Sequence, residues 1–226
     1  MLAIESISKI YQTAEIETQV LNGVSMKVER GEFVAIMGPS GCGKSTFLNI
    51  LGLLDNPTSG TYRFEGEDVS TASQARMTAL RRSSIGFVFQ DFNLIDDLTV
   101  EENIAVALTY RGVKPKEQRR RVAIALEQVD MAHRARHLPH RLSGGQQQRV
   151  AVARALVANP SLILADEPTG NLDSANGDVV MKLLTEAFRA GTTVIMVTHS
   201  LVFAGFAQRT VKLLDGRVVS ETTLAA

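Results

Sequence analysis

The chain of 226 residues has a single cysteine, Cys42, which excludes an intrachain disulfide and any cysteine-rich zinc site. It has no excess of either charge: 24 Lys and Arg stand against 24 Asp and Glu. A basic nucleic-acid binder is therefore not suggested, and no nucleic-acid partner is expected. Long hydrophobic runs are also missing. The longest, such as Phe33–Met37 and Leu162–Ala165, have the length of strands, against the roughly 20 residues of a membrane-spanning helix. Met1-Leu2-Ala3-Ile4-Glu5 lacks the basic flank and apolar run of a signal peptide. No internal repeat or low-complexity tract stands out. What remains is an ordinary globular composition, 45% hydrophobic and 21% charged, at a length suited to one domain or two small lobes. A cytoplasmic protein is expected, with any membrane role reached through a partner.

The first third of the chain reads as strands: Leu2–Ile7, Val20–Val28, Glu32–Met37, Thr61–Phe64 and Ile85–Phe89. Between them, Phe47, Ile50, Leu51 and Leu54 recur at helical spacing and predict a helix over 44–54. From about Asp91 to Asn159 helical signals dominate, with Val122, Ala125, Leu126 and Val129 on one face and an unbroken helix over 146–157. Strands return at Leu162–Asp166 and Thr193–Val197, separated by a helix carrying Val179, Val180, Leu183, Leu184, Ala187 and Phe188 on one side. Asp215-Gly216, between Val211–Leu214 and Val218-Val219, signals a hairpin. The pattern is an α/β core interrupted by a mostly helical lobe.

Charge is uneven between these parts. Residues 111–141 hold nine Lys/Arg and three Asp/Glu, a local balance of +6, and Lys114–Arg121 reads as a solvated helix face. His133, His137 and His140 have spacings of four and three, but no cysteine or clear acid completes a metal site and Pro139 breaks a helix there.

Three stretches carry chemistry. Gly38-Pro39-Ser40-Gly41-Cys42-Gly43-Lys44-Ser45 fits G-x-x-x-x-G-K-[ST], and it lies between a buried strand and a helix. Glycines let backbone N–H groups turn toward phosphate oxygens, and the helix adds its positive end. Lys44 suits the β- and γ-phosphates and Ser45 a Mg²⁺ ion. Cys42 takes an unrestricted position and reads as a small filler. Second, Leu162–Ala165 runs into Asp166 and Glu167. Parallel strands present ligands at their carboxyl ends, so Asp166 suits Mg²⁺ and Glu167 the attacking water. Alone, that pair would read as two acids at a strand exit; beside a phosphate loop it does not. Third, Leu142-Ser143-Gly144-Gly145-Gln146 opens a helix that Ser143 can cap, with two glycines exposing N–H groups to an anion.

Together these stretches resemble the ATP-binding subunits of ABC transporters, over nearly the whole chain. Leu142–Gln146 matches that family's signature motif, Gln90 its Q-loop, His199 its switch histidine and Asn171-Leu172-Asp173 its D-loop. Tyr11 matches the aromatic that stacks on adenine; alone it would read as a strand-end aromatic. Leu80-Arg81-Arg82, Ile85–Leu94 and Ala165–Asp173 resemble the MacB/LolD-type branch. Ser200 departs from it, standing where many relatives carry an acid, as does the apolar run Leu201–Phe206.

The resemblance implies an α/β RecA-like P-loop NTPase core, over about 1–90 and 159–226, with an antiparallel β portion and a helical subdomain inserted over about 91–158. ATP and Mg²⁺ are the implied ligands. Tyr11, residues 38–46 including Thr46, and Ser143, Gly144, Gly145 and Gln146 are implied to hold nucleotide. Ser45, Gln90 and Asp166 are implied for the metal, and Glu167, His199 and Gln90 for catalysis. The family arrangement places ATP between two copies of the chain. It adds integral membrane permease subunits and a peripheral position on the inner face of the cell membrane. The segment after Gln90 is implied to receive the permease's coupling helix. Here it carries Asp91, Asp96, Asp97, Glu101 and Glu102 without a Lys or Arg through residue 102. The alternative is a soluble ABC ATPase of repair, translation or cofactor assembly.

Overall fold

The structure, a computed structural model, describes residues 1–12 and 16–223. In chain order its main elements are β1 (Leu2–Gln12), β2 (Glu17–Val28), β3 (Phe33–Met37), α1 (Lys44–Leu51), β4 (Ser59–Phe64) and β5 (Glu67–Asp68). They continue with α2 (Gln74–Ser84), β6 (Ile85–Val88), α3 (Val100–Tyr110), α4 (Pro115–Gln128), α5 (Gly144–Leu156) and β7 (Leu162–Asp166). The last are α6 (Ser174–Arg189), β8 (Thr193–Val197), α7 (Leu201–Ala204), β9 (Arg209–Leu214) and β10 (Arg217–Thr223). They form two compact units, Met1–Arg81 with Thr193–Ala226, and Arg82–Thr192.

The first unit combines two kinds of sheet. β2-β1-β4-β5 is antiparallel throughout. β3 pairs in parallel with β8 and β9, and β10 folds back antiparallel on β9. β3 and, after the buried Thr193, β8 are apolar because parallel strands are covered on both faces. Asp215 and Gly216 both have positive φ, 46° and 70°, which is the geometry a two-residue hairpin needs. Phe33, Phe47, Leu51, Tyr62 and Phe64 are buried in this unit's core, and each such side chain contributes about 1.5–3 kcal/mol by leaving water. Tyr62 keeps its polar tip satisfied by donating its hydroxyl to Leu51 O at 2.7 Å.

Several elements differ in length from the sequence expectation: β2 starts at Glu17 rather than Val20, β4 at Ser59 rather than Thr61, and β10 spans Arg217–Thr223, while β1 and α1 differ for local reasons. β1 runs to Gln12 rather than Ile7. Its alternation is broken by register shifts between Ile4 and Ile7 and between Ile7 and Lys9, with Ser6 at φ 50°. Each irregularity turns the side chains to the other face, so the pattern looks finished where the strand continues. α1 stops at Leu51 rather than 54, because Gly52 ends it and Leu53 takes φ 57°.

The second unit holds the parallel pair β6–β7 and helices α3 to α6. α3 starts at a full capping box in which Thr99 and Glu102 each satisfy the other's backbone N–H. α4 starts with Pro115 in its first turn, where a missing N–H costs nothing. Val150–Ala153 of α5 and Val180, Met181 and Leu184 of α6 are buried.

Candidate functional site

In the first unit, Ile36 of β3 lies opposite Val197 of β8. Both strands therefore release the chain at one end of the sheet, β3 into Gly38 and β8 into Thr198 and His199. Pro39, Ser40 and Gly41 form the exposed crest of the loop. Cys42 is buried, and a Cβ built on Gly38 would lie 2.7 Å from its sulfur, so the thiol fills space behind the loop. Gly43 is the N-cap of α1 at φ 98°, and a Cβ there would lie 2.8 Å from Val20 O. Both the left-handed backbone and the close approach demand glycine. No side chain caps α1. Lys44 is only 7% exposed, and its ammonium is held by Gly38 O at 2.9 Å and Pro39 O at 2.8 Å. The loop thus aims a fixed positive charge, with an uncapped helix start behind it, which suits a chain of phosphates. Ser45 is exposed in the first turn of α1, and Thr46 beside it is half-buried.

Two further residues of this unit were singled out. Tyr11, 43% exposed near the end of β1, donates its hydroxyl to Asp55 Oδ2 at 3.0 Å. His199 is exposed in a turn braced on both sides. Ser200 N donates to Thr198 Oγ1 at 3.1 Å, and Ser200 Oγ accepts from Phe203 N at 3.4 Å as the cap of α7. Ser200 thereby serves as the cap of α7.

In the second unit, Val88 of β6 lies opposite Ala165 of β7, so Gln90 and the pair Asp166-Glu167 leave the same end. Glu167 has φ 45°, unusual for a residue other than glycine, and its C=O closes a turn by accepting from Gly170 N at 2.9 Å. Such a backbone costs of order 1–3 kcal/mol and persists where its surroundings enforce it. Gln90 Nε2 donates to Asn171 Oδ1 at 3.0 Å, and Asn171 Nδ2 donates to Asp91 Oδ1 at 3.0 Å and Gln90 O at 3.3 Å. The sequence assigned Gln90 and Asn171 separately; the fold joins them.

The Ser143–Gln146 stretch is a capping box. Ser143 Oγ accepts from Gln146 N at 3.3 Å, and Gln146 Oε1 accepts from Ser143 N at 3.0 Å. A Cβ on Gly145 would lie 2.2 Å from Asn176 Oδ1, so this glycine lets α5 press against the first turn of α6. Asp173 caps α6 by accepting from Asn176 N at 2.9 Å, which holds its carboxyl below the usual range. One structural residue escaped the sequence reading. Gln148, 1% exposed, donates through Nε2 to Pro168 O at 2.6 Å and Phe89 O at 3.2 Å, tying α5 to both strand exits. Its only sequence signal is a polar residue one turn inside an amphipathic helix.

Among the described residues, no three His, Cys, Asp or Glu side chains gather to hold a metal. Any divalent ion here would complete its shell with phosphate and water oxygens. Mg²⁺ prefers that environment, and Ser45 in the first unit and Asp166 in the second each carry, taken separately, an oxygen of the kind it binds. His137 instead meets Arg134 Nη1 at 3.0 Å. No helix among the described residues is long and apolar enough to cross a membrane.

A glycine loop between a buried parallel strand and a helix, within an α/β framework, defines a P-loop nucleotide-binding fold. A family model described as ABC transporter matches residues 21–170. The macrolide export ATP-binding/permease protein MacB of Brucella melitensis is 47% identical over 99% of this chain. The chain spans 34% of that protein's length. YvrO of Bacillus subtilis, an uncharacterized ABC transporter ATP-binding protein, is 47% identical over 97% of this chain and 96% of its own. A dimeric post-hydrolysis state of the ATP-binding cassette MJ0796, bound to ADP and Pi, superposes with a TM-score of 0.94 at 42% identity, covering 100% of both chains. The chain belongs to the ABC transporter family, and its fold is that of the family's ATP-binding cassettes, with a RecA-like P-loop core.

Proposed function

We propose that this chain is the ATP-hydrolysing cassette of a transporter or mechanotransmission complex, working as a pair of copies. The observation that carries the reading is the co-occurrence in one chain of the Gly38–Ser45 loop with its buried lysine and the self-capped helix start at Ser143–Gln146. Loop N–H groups and Lys44 bind the β- and γ-phosphates, and Tyr11 offers its ring to the base. Ser143, Gly144, Gly145 and Gln146 of one copy close over nucleotide held by residues 38–46 of the other. The dimeric state of the neighbour bound to ADP and Pi supports that reading. Ser45, Gln90 and Asp166 are the residues that would hold Mg²⁺, which would supply neutralisation of phosphate charge. Glu167 orients and deprotonates the attacking water, and His199 and Gln90 complete the arrangement around it.

The MacB relatives are named ATP-binding/permease proteins, which supports an integral membrane permease as partner and a peripheral place on the inner face of the membrane. The permease contact falls on the segment after Gln90. Asp96 and Asp97 there are exposed, while Glu102 is already engaged with Thr99. Complementary charge sets partner choice and association rate, so a coupling helix bearing Lys or Arg is favoured. Converting Asp96 and Asp97 to Lys should weaken pull-down of the membrane subunit several-fold while leaving isolated ATPase activity intact. Equal recovery of the complex would remove this segment from the interface. Absence of Mg²⁺-dependent phosphate release, both alone and with the co-purified membrane partner, would overturn the function itself.

A further inference from the structure

We propose that Asp55 and Lys9 tether Tyr11 into a one-faced platform for the nucleotide base, which makes Asp55 a positioning residue for base binding. The proposal rests on the reading of Tyr11 as the base-stacking aromatic. An aromatic at 43% exposure near a strand end would ordinarily sample several rotamers. Here it is held at both its tip and its face. The hydroxyl donates to Asp55 Oδ2 at 3.0 Å. The Lys9 ammonium sits 4.9 Å from the ring centroid. That ammonium is itself fixed, donating to Asp55 Oδ1 at 2.7 Å and to Asn56 O at 2.8 Å. Asp55 Oδ1 also accepts from Asn56 N at 2.8 Å, which sets the carboxylate's orientation.

Two consequences follow from this arrangement. With Lys9 over one face of the ring, a base can stack only on the other. The ammonium over that face is balanced by the Asp55 carboxylate, so the platform carries no net charge toward the base. Burial pushes the Asp55 carboxyl upward, but hydrogen bonds from Lys9 and Tyr11 outweigh it and hold the group below the usual carboxylate range, so it is ionised near neutrality. A ring fixed beforehand loses no rotamer freedom when the base arrives, and that saving appears as affinity.

The test uses the full chain and two probes titrated with Mg²⁺: ATP, and inorganic tripolyphosphate, which lacks a base. Tyr11→Ala should weaken ATP about tenfold or more by removing the stacking surface. Asp55→Ala and Tyr11→Phe should each weaken ATP about three- to tenfold. The double variant should be no weaker than Asp55→Ala alone, because both changes cut one tether. Asp55→Asn, which still accepts from the hydroxyl, should recover part of the loss. Tripolyphosphate affinity should stay at the wild-type value throughout. Equal losses for both probes would make Asp55 a support of the phosphate loop and overturn the proposal. Additive losses would overturn it too, as would a Tyr11→Phe variant with wild-type ATP affinity beside a weakened Tyr11→Ala. An unaffected Tyr11→Ala would defeat the platform reading beneath it.

Discussion

Helices α1 and α5 both begin after a glycine-containing stretch, yet their first turns are completed in opposite ways. α1 starts at Gly43, in a left-handed conformation and with no side chain closing it. α5 starts at Ser143, whose hydroxyl and backbone N–H are both engaged by Gln146. The first start leaves backbone N–H groups to be claimed by an anion, with Lys44 already aimed over the loop. The second satisfies two of its own groups and needs no ligand to be stable. The difference separates two tasks. Under the proposed function, the start that grips phosphate through nucleotide exchange is built unfinished, so that the ligand completes it. The start proposed to close on nucleotide held by another copy is built rigid, so that it can dock without folding first.

The sharpest way to break this comparison is to remove the charge from the unfinished start. Lys44→Ala should reduce MgATP turnover by at least about 10³-fold, the scale expected when a phosphate-directed charge is lost. Nucleotide titration alongside phosphate release checks it, and near-normal values would remove Lys44 from the phosphate site. Next comes the step that separates gripping from hydrolysis. Glu167→Gln keeps size and removes the base, so the rate should fall about 10²–10⁴-fold while ATP remains bound. With hydrolysis blocked, added ATP should shift the protein from monomer to dimer by light scattering. Ser143→Arg should undo that shift by placing bulk on the docking surface of α5. A Glu167→Gln protein that turns over at the wild-type rate would defeat the role given to Glu167.

Smaller effects sharpen the contrast. Ser143→Ala removes a side-chain cap at a cost of about 1 kcal/mol, which for a chain of this size lowers the melting temperature by about 2–4 °C. That loss should appear without nucleotide, whereas α1 should gain stability only when nucleotide is present. A melting temperature unmoved by Ser143→Ala would show that the box contributes nothing in the free chain. The smallest effect concerns acid. Asp55 titrates below its ordinary range, so its contribution is present above the unfolded pKa of about 3.9 and is lost as pH falls through the lower folded value. The stability difference between wild type and Asp55→Asn should therefore shrink toward zero below about pH 4. A difference that persists in acid would assign it to packing rather than charge.

Much of the site was readable because its parts are local. The loop at 38–45 needs only a buried strand, glycines and a helix, all adjacent in the chain, and its backbone conformation follows from residue type. Ser143 announces a cap, and β7 announces two acids at a strand exit. A readable signal was also passed over: Thr99 and Glu102, three residues apart, mark the start of α3 by the same capping rule. α2 is harder, since Met77 and Leu80 are its only buried apolar residues against seven polar positions, and its pattern does not declare a helix.

The chain by itself determined the phosphate loop, the acid pair and the helix cap, because dihedral preference and hydrogen bonding over three or four residues decide them. Only the tertiary structure decided that β1 passes through three irregularities to deliver Lys9 and Tyr11 to Asp55, 44 or more residues away. It alone placed Gln148 beneath two strand exits and joined Gln90 to Asn171 across 81 residues. Such pairings have no local period to betray them. They depend on which strand neighbours which, and that is set by burying the whole apolar surface of each unit at once.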